Sequence, residues 1–180
     1  KRCDPVEGSP SAMAKGWAAV CCNENPRATI KNEIRIAGNE LANEQIYQHI
    51  SICAPYLELI EEMTLTEFMN FHQEFKPWLP GLSAKEIISI IGLEKAVHKQ
   101  IRYYSSGMKQ RVKLAQCILS DTMIVLLDEP CTNLDTAGID LYHSLINKYC
   151  KHRLVAVSSN DETEYKFCTH LININDYKRH

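Results

Sequence analysis

Residues 123–127, MIVLL, form an uninterrupted apolar run that ends at two acids, Asp128 and Glu129. Such a run is too short and too continuous for an amphipathic helix, and it fits a strand buried on both faces of a parallel sheet. Parallel strands need crossover connections, usually helices, and the flanking sequence offers them. Upstream, the stripe Met108, Val112, Ala115, Leu119 predicts a helix from Ser105 to Ser120 with one buried face. Downstream, Tyr142, Leu145, Ile146 and Tyr149 predict a second helix over 137–150, followed by strands LVAV at 154–157 and LINI at 171–174.

The rest of the chain reads in the same way. IYQHISI at 46–52 predicts a strand, and a helix follows with Phe68, Phe71 and Phe75 on one face, ended by Pro77. KPWLPGLS is a connector, Ser83 caps the next helix and Gly92 closes it. Strands alternating with helices predict an α/β fold on a parallel sheet, with a mostly helical insertion over about 56–120. Residues 1–28 are small and mixed, without a clear period.

With 180 residues, 45% of them hydrophobic and 23% charged, the chain suits a single globular core. No apolar run approaches the ~20 residues of a spanning helix. The formal net charge is −2 and the bases are dispersed, so no nucleic acid partner is expected. The short KYCKHR run at 148–153 suits a helix C-terminus. The eight cysteines include no C-x-x-C pair, and with no signal peptide visible they are expected to be reduced intracellular thiols.

In a parallel α/β sheet ligands bind beyond the carboxyl ends of the strands, which is where Asp128 and Glu129 fall. An Asp there can hold Mg²⁺, and a following carboxylate can orient the water that attacks a phosphoryl group. YSSGM at 104–108 places a Ser-Ser-Gly turn at a helix start, where a hydroxyl, a bare backbone and unpaired N–H groups suit an anion. Each feature alone has a plain alternative, a solvated turn or an ordinary serine cap.

Together, in this order, they resemble the ATP-binding subunit of ATP-binding cassette (ABC) transporters. YSSGM resembles that family's signature motif, IVLLDEP at 124–130 its Walker B strand and catalytic glutamate, and TNLD at 132–135 its D-loop. The resemblance runs from about 29 to 176. It implies a P-loop NTPase fold of the ABC type, a parallel core with a helical subdomain and truncated N-terminal strands, in a single nucleotide-binding domain over 1–180. The implied ligands are ATP and Mg²⁺. Glu129 would be catalytic and Asp128 the metal ligand. Ser105, Ser106, Gly107, Met108, Asp135, Asn160 and Lys15 would contact nucleotide. Two cassettes would sandwich two ATP molecules, the signature turn of one facing the γ-phosphate held by the other. A membrane-spanning permease subunit would be the partner, with the cassette peripheral on the cytoplasmic face.

Three departures from the family pattern are visible. No G-x-x-x-x-G-K-S/T phosphate loop occurs; in GSPSAMAKGW at 8–17, Lys15 sits where its lysine belongs, but Ala14 and Gly16 replace the glycine and the hydroxyl residue. The glutamine expected near Ala54 or Pro55 is missing. Asn160, followed by Asp161, replaces the switch histidine. A divergent cassette and a frame-shifted 5′ end both account for residues 1–28, and their composition favours the second. Losing three charge-assisted phosphate contacts at ~1.5–3 kcal/mol each predicts that this chain binds Mg-ATP no better than millimolar and hydrolyses it little.

Overall fold

The computed structural model describes residues 46–173 in full, together with the backbone of strands at 17–22, 28–30, 34–36 and 39–40. Eight strands and six α-helices are described. In chain order they are β1 (Trp17–Cys22), β2 (Ala28–Ile30), β3 (Ile34–Ile36), β4 (Asn39–Glu40), α1 (Ile46–His49), β5 (Ile50–Cys53), α2 (Leu65–Phe75), α3 (Ala84–Ile90), α4 (Ser106–Ile118), β6 (Ile124–Asp128), α5 (Thr136–Tyr149), β7 (Leu154–Ser158), α6 (Glu162–Tyr165) and β8 (His170–Asn173).

MIVLL does form the centre of a parallel sheet. In the order β5-β6-β7-β1-β8, β6 pairs in parallel with β5 (Ile50 opposite Ile124) and with β7 (Asp128 opposite Ser158). Ile124, Val125 and Leu127 are buried, as a strand covered on both faces requires. The sheet is not parallel throughout. β1 runs antiparallel to β7 and to β8, so LINI meets the sheet through β1 rather than beside β7. The segment without a readable period thus supplies a strand, and β2, β3 and β4 form a separate antiparallel sheet.

The strand expected over 46–52 begins only at Ile50, and Ile46–His49 is a helical turn. Pairing sets that boundary: the Met123 N–H donates to the His49 carbonyl at 3.1 Å, and the ladder starts with the next residue. At this edge strand Ser51 is buried against Thr122, Oγ to Oγ1 2.9 Å, while Ile52 faces out.

Helix starts are set by side-chain caps. Thr64 with Glu67, and Ser83 with Glu86, form complete capping boxes at α2 and α3. Gly92, at φ +68°, leaves α3 in the left-handed conformation that glycine adopts without cost. The core stripe of α2 runs through Leu65, Phe68, Met69 and half-buried His72. Phe71 and Phe75 therefore fall on its flank, exposed, with their rings packed on each other at 4.9 Å. That corrects the expected three-phenylalanine face.

The connector after α2 docks along the end of α4. The Leu79 N–H donates to the Leu119 carbonyl and the Asp121 N–H to the Pro77 carbonyl, both at 2.8 Å. α4 itself packs on β5, β6 and α5. Behind it Arg153, the last base of the KYCKHR run, is buried. Its guanidinium donates to the carbonyls of Ile118, Ser120 (3.0 Å) and Thr122 (2.6 Å). The run does lie at the C-terminus of α5, with Lys148 in its last turn, and its final base, Arg153, serves the carbonyls at the end of α4 as well.

Candidate functional site

At the carboxyl end of β6 the chain turns sharply. Asp128 is the last strand residue, half-buried, and its side chain makes no hydrogen bond or ion pair to any described residue. Glu129 follows at φ +42°, a left-handed conformation uncommon for a glutamate, with its N–H bonded to the Ser158 carbonyl at 2.9 Å. That bond ties the turn to the end of β7 and leaves the Glu129 side chain exposed. Asn160 is exposed two residues beyond Ser158. The carboxyl ends of β6 and β7 thus carry Asp128, Glu129 and Asn160 along one sheet edge.

The turn continues into a second structure. Asn133, at φ +65°, reverses the chain, and Asp135 then caps α5 through the Gly138 N–H at 2.8 Å. Its Oδ1 also receives Arg111 Nη2 at 3.1 Å. The Gly138 amide and Arg111 together hold its carboxyl below the usual carboxylate range. Asp135 is therefore exposed, ionised and already engaged within the chain.

Against this turn stands the start of α4. Ser105 caps it by accepting the Met108 N–H at 3.2 Å. Gly107 lies so close to the turn that a Cβ there would come within 3.0 Å of the Asn133 carbonyl oxygen. Ser105, Ser106, Gly107 and Met108 share a cavity of ≈ 660 Å³ with Arg111, Asn133, Asp135 and the 92–96 segment. The structure thus brings the four signature-turn residues and Asp135 together, and puts Asp128, Glu129 and Asn160 elsewhere, at the sheet edge. Lys15 lies outside the described residues.

Three functional contacts carried no sequence signal that was read. Gln110 is buried and donates from Nε2 to the Pro130 carbonyl at 2.7 Å, locking α4 to the turn after Glu129. A polar residue interrupting an apolar helix face was the available clue. Arg111 pairs with Asp135, as above. Glu164 is buried beneath the same turn and accepts the Cys131 N–H at 2.6 Å; nothing in ETEY separates it from its solvated neighbours. Burial pushes the thiols nearby upward, Cys53 and Cys131 each to about 12, so both stay protonated and unreactive at neutral pH.

A carboxylate at a strand end, without a partner among the described residues, matches the way Mg²⁺ is held, by one or two protein carboxylates with phosphate and water oxygens completing the shell. Among the described residues no group of three or more His, Cys, Asp or Glu side chains is placed to hold a metal without such help. The open N–H groups at the start of the 13-residue helix α4 suit a phosphate.

The chain is similar to known proteins. A family model described as "ABC transporter" matches residues 18–132, reaching further toward the N-terminus than the motifs alone. An uncharacterized ABC transporter ATP-binding protein of Bacillus subtilis, YhcH, is 30% identical over 71% of this chain and 42% of its own length. A putative hemin import ATP-binding protein of Staphylococcus epidermidis, HrtA, is 26% identical over 69% of this chain and 55% of its own. Among solved structures, a dimeric post-hydrolysis state of the ATP-binding cassette MJ0796 bound to ADP and Pi matches with TM-score 0.61 and 21% identity. That match covers 76% of this chain and 66% of the other, and at that identity it establishes the fold. The chain spans less than half the length of the first curated relatives it matches.

Proposed function

This chain belongs to the ABC transporter family, and from that premise we propose that it serves as an ATP-binding subunit whose nucleotide hydrolysis drives transport through a separate membrane permease. The observation that carries the reading is the joint between α4 and the Glu129 turn. A Ser-Ser-Gly helix start and a left-handed catalytic turn are fixed to each other by Gln110 and by the close approach of Gly107 to Asn133.

In this reading Asp128 ligates Mg²⁺, which supplies charge neutralisation on the phosphates when bound. Glu129 accepts a hydrogen bond from the attacking water and orients it in line. Asn160 hydrogen-bonds a phosphate oxygen but carries no proton, which favours slow turnover. The Ser105–Met108 turn lines a cavity that does not include Asp128; its phosphate is supplied by a second cassette, and the working form is a dimer. The subunit then lies on the cytoplasmic face of the membrane; no described helix is long and apolar enough to cross one. The permease selects the cargo.

The test is Mg-ATP turnover, measured on this chain and on a version carrying a G-x-x-x-x-G-K-S loop at 8–17. Glu129→Gln is expected to lower turnover in the second by about a hundredfold or more while ATP stays bound. Unchanged hydrolysis in Glu129→Gln removes Glu129 from the reaction.

A further inference from the structure

The turn that presents Glu129 rests on a carboxyl group that no motif includes. Glu164, in the short helix α6, is 4% exposed. Its Oε1 accepts the Cys131 N–H at 2.6 Å, and its backbone carbonyl accepts the buried Tyr142 hydroxyl at 2.8 Å. Oε2 is buried without a hydrogen-bond partner among the described residues. A buried carboxyl with one oxygen lacking a well-formed hydrogen bond among the described residues is costly, and a purely structural position would be filled at less expense by an apolar side chain.

Its neighbours show what it is in contact with. Ser159 and Asp161 lead from β7 into α6, with Ser159 Oγ accepting the Asp161 N–H at 2.9 Å. Glu129 is bonded to Ser158 at the start of the same loop. The Cys131 amide lies midway between the two left-handed residues, Glu129 and Asn133. Such conformations persist only where the surroundings hold them. Burial, with help from Asp161 and Glu129, pushes the Glu164 carboxyl up, against the pull of the Ser159 hydroxyl and the Cys131 amide.

We propose that Glu164 is a positioning residue for ATP hydrolysis: its bond to the Cys131 N–H fixes the 129–133 turn, setting the outward direction of Glu129 and the Asn133 carbonyl on which the signature turn packs. The carboxyl thereby links the loop bearing Asn160 to both halves of the nucleotide site. This rests on the reading of Glu129 as the catalytic group.

Amide hydrogen exchange on the ¹⁵N-labelled full chain, without nucleotide, tests the bond directly. Glu164→Gln keeps an acceptor oxygen at the same reach, so protection at Cys131 is expected to survive. Glu164→Ala removes it, and exchange at Cys131 and Thr132 is expected to rise by ~10-fold or more while protection in β6 stays as in the parent. If Glu164→Ala does not fold, Glu164→Asp, one methylene short, takes its place with the same expectation. In the version with the added phosphate loop, Glu164→Ala is expected to lower kcat by ~10-fold with KM unchanged, and Glu164→Gln to restore most of it. Unchanged exchange at Cys131 in Glu164→Ala, or loss of protection in Glu164→Gln, overturns the proposal. Absence of ATP turnover in the parent leaves the exchange result to decide the bond and counts against the catalytic reading of Glu129 instead.

Discussion

At Gly107 the chain has no room for a side chain, because the Asn133 carbonyl would stand 3.0 Å from any Cβ. Backbone on one side and helix on the other leave little to yield, so Gly107→Asp must push α4 off the turn as well as set a negative charge at the anion site. We expect it to lower stability by about 1–3 kcal/mol and, in the version with the added phosphate loop, to abolish ATP-dependent association; urea denaturation and sizing with Mg-ATP measure the two effects separately. Arg153 is the other residue on which much depends. Removing its guanidinium takes that donor from the carbonyls of Ile118 and Thr122 and leaves the Ser120 carbonyl with the Thr122 N–H alone. Arg153→Met should therefore cost about 3 kcal/mol or more in chemical denaturation, well above a typical surface substitution. The sequence showed Gly107 as part of a motif but not why glycine is needed within the monomer, since Asn133 is 26 residues away in the chain. It showed Arg153 only as one base in a run, because burial of a guanidinium depends on where α4 ends.

Between elements, the joint of α2 with α4 is a pH-sensitive one. His72 lies against Trp78 with its ring tilted by 34° at 4.6 Å, contacts Ser120 Oγ through Nε2 at 2.8 Å and receives Gln116 Nε2 at its Nδ1 at 3.2 Å. Nδ1 is thus the acceptor and Nε2–H the donor, a neutral ring; burial and the nearby Lys76 lower its pKa to about 4. A histidine kept neutral by folding adds stability above its unfolded pKa of ~6.5, and that stability drains away as the pH falls toward 4. Partial exposure reduces the effect, so we expect a loss of about 1–2 kcal/mol across that interval in wild type. Denaturation midpoints from pH 7 to 4 should show that slope flattened in His72→Gln. Equal slopes in the two proteins would remove His72 as the cause. Elements with strong local signals were legible: the β6 run, the Ser83 cap, the Gly92 exit and the buried face of α5 all lie where the residues suggested. The α2 face was not, because a helix decides which of two adjoining stripes to bury by what packs on it, here Trp78 and α3, rather than by its own period. Direction within the sheet was not legible either, as β1 and β8 meet only through long-range pairing.

For the molecule as a whole, the residues proposed to bind nucleotide are divided between two surfaces. Asp128, Glu129 and Asn160 lie at the sheet edge, while Ser105–Met108 line a separate cavity with Asn133 and Asp135. The motifs made both halves readable, since each is a short continuous stretch. The parts that join them, Gln110 and Glu164, were not, because a buried polar contact is defined by its partner and the partner is distant in sequence. In the proposed reading this division calls for two cassettes per complete site and makes association depend on nucleotide. Sedimentation velocity of Glu129→Gln, made in the version carrying the added phosphate loop, over a series of Mg-ATP concentrations tests that dependence most directly. The chain should sediment as a monomer without nucleotide and as a dimer in millimolar Mg-ATP, and adding Gly107→Asp should return it to the monomer. A monomer at every Mg-ATP concentration, or a dimer indifferent to nucleotide and to Gly107→Asp, would contradict the divided site.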